Sequence, residues 1–73
     1  MKTRYRFIHF TPDNPDHTEW QCRNNSQPEP SMATIGYCDR GKQWVFAQNE
    51  PEFKFSADCL TDIAHFMGQL PKP

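Results

Sequence analysis

The stretch Ala33-Thr34-Ile35-Gly36-Tyr37-Cys38-Asp39-Arg40-Gly41-Lys42-Gln43-Trp44-Val45-Phe46-Ala47-Gln48 reads as two strands and the turn between them. β-branched and aromatic side chains fill both arms, as a pleated, half-buried surface favours. Asp39-Arg40-Gly41 suits a three-residue loop whose last residue is left-handed, a conformation glycine adopts without a Cβ clash. That register predicts Cys38 opposite Lys42, Gly36 opposite Trp44, Ile35 opposite Val45 and Thr34 opposite Phe46. Gly36 then leaves room for the Trp44 ring. Side chains alternate along a strand, so the hairpin is expected to be apolar on both faces: Ile35, Tyr37 and Val45 on one, Trp44 and Phe46 on the other.

Working outward, Glu19 to Asn24 gives the cleanest alternation in the chain. Trp20 and Cys22 point one way; Glu19, Gln21 and Arg23 point the other. Tyr5 to Phe10 reads as an earlier strand, with Tyr5, Phe7 and His9 on one face and Ile8 and Phe10 on the other. Loops follow from Pro12, Pro15 and the Asp residues near them, and from Pro28 and Pro30. Phe53 to Phe55 is short enough for an edge strand. Ser56 suits a helix N-cap, and Asp58 puts a negative charge in the first turn, where the helix dipole favours it. Cys59, Leu60, Ile63, Phe66, Met67 and Leu70 then recur at helical spacing to about Gln69, with Asp58, Thr61, Asp62, His65 and Gln69 opposite. The expected fold class is α+β: a small antiparallel sheet of four to five strands packed against one C-terminal amphipathic helix, residues 1–73 forming a single domain.

Size and charge narrow the function. A chain of 73 residues has a thin core, worth roughly 3–5 kcal/mol, and little material for a catalytic cleft with its supporting shell. The formal charge is −1, from 8 basic and 9 acidic side chains. Phosphate-driven nucleic-acid binders carry a basic excess, and DNA mimics an acidic one. No apolar run reaches the length of a membrane span, and Met1-Lys2-Thr3-Arg4-Tyr5-Arg6 leads into no signal-peptide core. A cytoplasmic location and no membrane partner are the expectation. Cys22, Cys38 and Cys59 are odd in number and widely spaced, which fits reduced thiols better than a disulfide framework.

Chemistry-bearing residues do not assemble into a motif. Cys59 sits near a helix N-terminus, where a thiol pKa can fall, but His65 lies across the helix from it and cannot serve as its local base. The cysteines and histidines lack the short chelating pairs of zinc sites, so no metal and no cofactor are expected. Asp58 and Asp62 lie on the polar helix face, where a solvated role suits them. Phosphate-loop and hydrolase signatures are missing. The chain is therefore read as non-enzymatic, with no catalytic residues.

Two binding modes remain. Trp44, Phe46 and Arg40 form a candidate partner-binding site on the hairpin, because Trp and Arg dominate interface hot spots; if the helix covers that face, Ile35, Tyr37 and Val45 become the exposed set. The competing reading of Trp44 is as core. Alternatively, Trp20, Tyr37, Trp44 and Phe46 could stack bases while Arg4, Arg6, Arg23, Arg40 and Lys42 meet phosphates. A monomer or a small homo-oligomer suits either.

The sequence also resembles a group of small proteins of phages and prophages. The likeness runs through Trp20-Gln21-Cys22-Arg23-Asn24, Ile35-Gly36-Tyr37 and Gln43-Trp44-Val45-Phe46, then Phe55-Ser56-Ala57-Asp58-Cys59-Leu60-Thr61-Asp62-Ile63 and Phe66. The Pro-rich stretch from Gln27 to Ser31 is longer than the turn expected there. The resemblance implies no catalytic residues. It implies an accessory protein that binds a host protein or protein complex and inhibits or redirects it, the inhibitors of host defence systems, anti-CRISPR proteins among them, being a prominent class.

Overall fold

The computed structural model describes all residues from Met1 to Pro73. Four antiparallel strands form a meander in the order β1 (Ile8–Pro12), β2 (Glu19–Asn24), β3 (Ala33–Cys38) and β4 (Gln43–Gln48), followed by helix α1 (Ala57–Gln69). The fold is α+β, as the sequence predicts. Ser56 caps α1: its backbone is extended and its hydroxyl accepts the Cys59 N–H at 3.2 Å. The Leu70 N–H closes the other end on the Met67 carbonyl at 3.2 Å, just before Pro71 stops the helix.

The core lies between one sheet face and α1. Ile8, Phe10, Trp20, Cys22, Ala33 and Ile35 project from the sheet, and Ile63 and Phe66 from the helix. The register aligns the sheet side chains into rows. Phe10 faces Cys22, which faces Ala33; Trp20 faces Ile35, which faces Phe46. Phe66 enters the centre fully buried, with the Trp20 ring meeting it edge-on at 5.1 Å and 72°. Of the expected helix stripe, Leu60 departs: it is 49% exposed, in the first turn of α1.

The β3–β4 hairpin differs from its expected register by one residue. Cys38 pairs with Gln43, Tyr37 with Trp44, Gly36 with Val45, Ile35 with Phe46 and Thr34 with Ala47. The loop therefore holds four residues, and its left-handed residue is Lys42, at φ 54°; no glycine has positive φ. A one-residue slip exchanges the faces of a whole strand. Trp44 and Phe46 join Ile35 and Tyr37 above the helix, so the hairpin has one apolar face rather than two. Gly36 lies opposite Val45 and does not accommodate the Trp44 ring.

Strand β1 starts later than the sequence suggests. The Tyr5 N–H donates to the Ile8 carbonyl and the Phe10 N–H to the Thr3 carbonyl, both at 2.8 Å, and Arg4 bridges His9. Residues 3–10 thus double back in a tight reversal. It buries Tyr5 beside Phe10 and leaves Phe7 46% exposed. Phe53 to Phe55 forms no strand. Both rings instead pack against the core, Phe55 edge-on to Phe46 at 5.4 Å.

Candidate functional site

The register decides where the hairpin side chains can act. Trp44 and Phe46 are half-buried and packed against the core margin. The Trp44 ring meets Tyr37 edge-on at 5.4 Å and 71°, and its indole N–H donates to the Pro71 carbonyl at 3.3 Å. Arg40 is exposed in the turn that leads into β4. The alternative exposed set is split apart: Ile35 is fully buried, Tyr37 is half-buried, and Val45, 41% exposed, sits on the opposite sheet face.

Beside Trp44 the surface is concave. Trp20, Trp44, Leu70, Pro71 and Pro73 line a groove of about 200 Å³, with His17 and Asp16 at its polar side. Its walls come from β2, the start of β4, the chain leaving the helix and Met1 at the N-terminus. The Pro71 carbonyl fixes the Trp44 ring from one side, and the Trp20 indole N–H is held by the His17 carbonyl at 3.2 Å. Aromatic walls and few polar groups are what a partner's apolar side chain requires. Arg40 and Lys42 belong to the neighbouring turn, at the same end of the sheet.

The uncovered face of the sheet is polar and internally bonded. Gln21 lies at its centre. Its carbonyl accepts from the Ser31 hydroxyl at 2.5 Å and the Thr34 hydroxyl at 3.2 Å, while its amide donates to Asp13 at 3.1 Å. Arg23 donates to the Thr11 hydroxyl and the Pro28 carbonyl, and His9 bonds to Asn25 at 2.8 Å. The residues named for base stacking, Trp20, Tyr37, Trp44 and Phe46, all lie on the helix side. Arg4 and Arg6 lie in the N-terminal reversal, Arg23 on the open face and Arg40 and Lys42 in the β3–β4 turn. Only Arg40 and Lys42 share the sheet end of Trp44; Arg4, Arg6 and Arg23 are not gathered with them.

Three ionisable groups are shifted. Burial pushes the Cys22 thiol up to about 12, with Cys59 adding to it. Burial, then the Asp62 charge, raises Tyr5 against the opposing Gln69 hydrogen bond. Glu19 is raised mainly because Asp13 stands beside it. Cys59 and His65 are not brought together; His65 instead bonds to the Tyr5 hydroxyl at 2.8 Å. Gln69 joins the same knot, donating to the Tyr5 hydroxyl and the Lys2 carbonyl while accepting the Lys2 N–H. Sequence spacing offers no signal for this knot, because its members lie at opposite ends of the chain. His, Cys, Asp and Glu side chains nowhere gather in groups of three or more that could hold a metal ion. No helix is long and apolar enough to cross a membrane.

Comparison with protein-family models, with curated proteins and with solved structures finds no match to this chain.

Proposed function

We propose that the chain is a non-enzymatic protein-binding domain of the cytoplasm that inhibits or modulates a host protein complex, in the manner of the phage accessory proteins it resembles. One observation carries the reading. The Trp20–Trp44–Leu70–Pro71 groove lies at the same sheet end as the exposed Arg40 turn, which puts an apolar slot and a free cation at one end of the molecule. An aromatic-lined pocket with a nearby arginine is the composition of an interface centre. Phe46, farther along β4 on the same face, packs edge-on against Phe55 and does not line the groove.

Affinity capture from a bacterial lysate with wild-type, Arg40→Glu and Trp44→Ala proteins tests it, with both protein and nucleic acid identified in the eluate. The reading expects one protein partner retained by the wild type and lost with both variants. Recovery of nucleic acid in its place, or capture unaffected by either variant, would overturn it.

A further inference from the structure

The two edges of the sheet are treated differently by the chain. In an antiparallel ladder, alternate residues turn their amide and carbonyl toward the neighbouring strand and the rest turn theirs away. On β1 the Asp13 N–H donates to the Glu19 carbonyl, and the Asn25 N–H to the Phe7 carbonyl. Odd-numbered residues therefore face β2, and Ile8 and Phe10 face outward. Their outward groups are taken up by the chain itself, through Tyr5 and Thr3.

Strand β4 is left open instead. The Asn49 N–H donates to the Met32 carbonyl at 3.0 Å, so odd-numbered residues face β3. Trp44, Phe46 and Gln48 turn their backbone groups outward, and no segment of the chain pairs with them. Natural sheets guard such an edge with charge, proline, a bulge or shortness. Gln43-Trp44-Val45-Phe46-Ala47-Gln48 has none of these: it is six residues long, regular, and free of charge and proline.

We infer that β4 pairs antiparallel with β4 of a second copy of this chain, about a two-fold axis through Val45, to make one continuous sheet across two molecules. The strand is complementary to itself in that register. Cross-strand partners must share a face, so Val45 meets Val45, Trp44 meets Phe46 and Gln43 meets Ala47, with no like charges opposed. Trp44 and Phe46 exchange main-chain hydrogen bonds across the axis, which makes Val45–Val45 a non-hydrogen-bonded pair, where side chains approach most closely. Val45, 41% exposed on the open face of the single chain, becomes covered. The two β3–β4 turns point to opposite ends of the joined sheet, so the pairing goes beyond the proposed partner site and presents it twice.

Sedimentation velocity over a range of protein concentrations tests the pairing. The wild type is expected to move from monomer to dimer as concentration rises, and Val45→Lys, which sets two ammonium groups face to face, to remain monomeric with wild-type circular dichroism. A second readout does not depend on that variant folding. Val45→Cys in a Cys38→Ser, Cys59→Ser background, treated with oxidised glutathione, should form a disulfide-linked dimer, two thiols losing their protons and electrons to the glutathione disulfide. Thr11→Cys in the same background, on the far strand, should not. A wild type that stays monomeric throughout, a dimer that survives Val45→Lys, or crosslinking no faster at Val45→Cys than at Thr11→Cys would overturn the inference.

Discussion

Phe10 and Phe66 lie flat against each other, ring centroids 3.9 Å apart and planes 1° from parallel. The stack joins the first strand to the last helix, so it ties the two ends of the chain through the centre of the core. Trp20 closes one flank of Phe66, and Tyr5 meets the edge of Phe10 at 5.8 Å. In a chain of this size such a cluster carries much of the stability.

Phe66→Ala should therefore cost about 3–5 kcal/mol, close to the whole stability of a domain this small. Ile63→Asp should unfold it outright, because a carboxylate would enter the same core without a partner. Denaturant melts followed by circular dichroism check both. A Phe66→Ala variant losing under about 1 kcal/mol would show that the helix is dispensable to the sheet.

The thiols should separate by accessibility. Cys22 is fully buried, while Cys38 and Cys59 are partly exposed. A thiol reagent should label Cys38 and Cys59 in the native protein and Cys22 only on unfolding. The same burial sets a pH dependence. The native state holds the Cys22 proton up to about 12 against an ordinary 9.0, so native chains bind more protons than unfolded ones in between. Stability is full below pH 9 and falls as pH rises through that window. Cys22→Ala should remove this part of the alkaline loss in melts at successive pH values.

Glu19 has the same sign at lower pH. Asp13 raises its carboxyl pKa in the native state, so the native form holds the proton more tightly than the unfolded chain, and stability falls as pH rises through the Glu19 titration. Glu19→Gln should accordingly raise the melting temperature at neutral pH and leave it nearly unchanged in acid. A lower melting temperature at neutral pH would contradict a Glu19 carboxyl raised in the native state.

The N-terminal reversal should depend on its knot. Removing the Tyr5 hydroxyl in Tyr5→Phe deletes the bonds to His65 and Gln69, at a cost of about 1 kcal/mol. Hydrogen exchange should show faster opening of the Tyr5 and Phe10 amides, which hold the reversal to β1, with the amides of β2 and β3 unaffected.

The sequence discloses the elements more fully than their assembly. Strand β2, the loops at the prolines and the Ser56-capped helix are legible because alternation, φ restriction and capping are local. Tyr5 to Phe10 reads as one strand because its aromatic content hides the reversal at Arg6-Phe7. The β3–β4 register is lost at Lys42, since glycine at position 41 is the expected left-handed residue and a lysine holds that conformation instead. That single residue decides which face Trp44 and Phe46 occupy, and with it whether the hairpin carries a second apolar face. Of the proposed site, Arg40 and Trp44 can be named from composition. The groove beside Trp44 cannot, because Trp20, Leu70 and Pro71 converge on it only after the helix has crossed the sheet.

The most direct test is the affinity of the captured host protein for Arg40→Glu and Trp44→Ala relative to wild type, by titration calorimetry below the melting temperature of each variant. Trp44→Ala is expected to melt somewhat lower, having lost a half-buried ring, and Arg40→Glu to melt as the wild type. Both should bind more weakly, Trp44→Ala by at least about 2 kcal/mol. Wild-type affinity in both folded variants would contradict the account and leave the hairpin as scaffold alone.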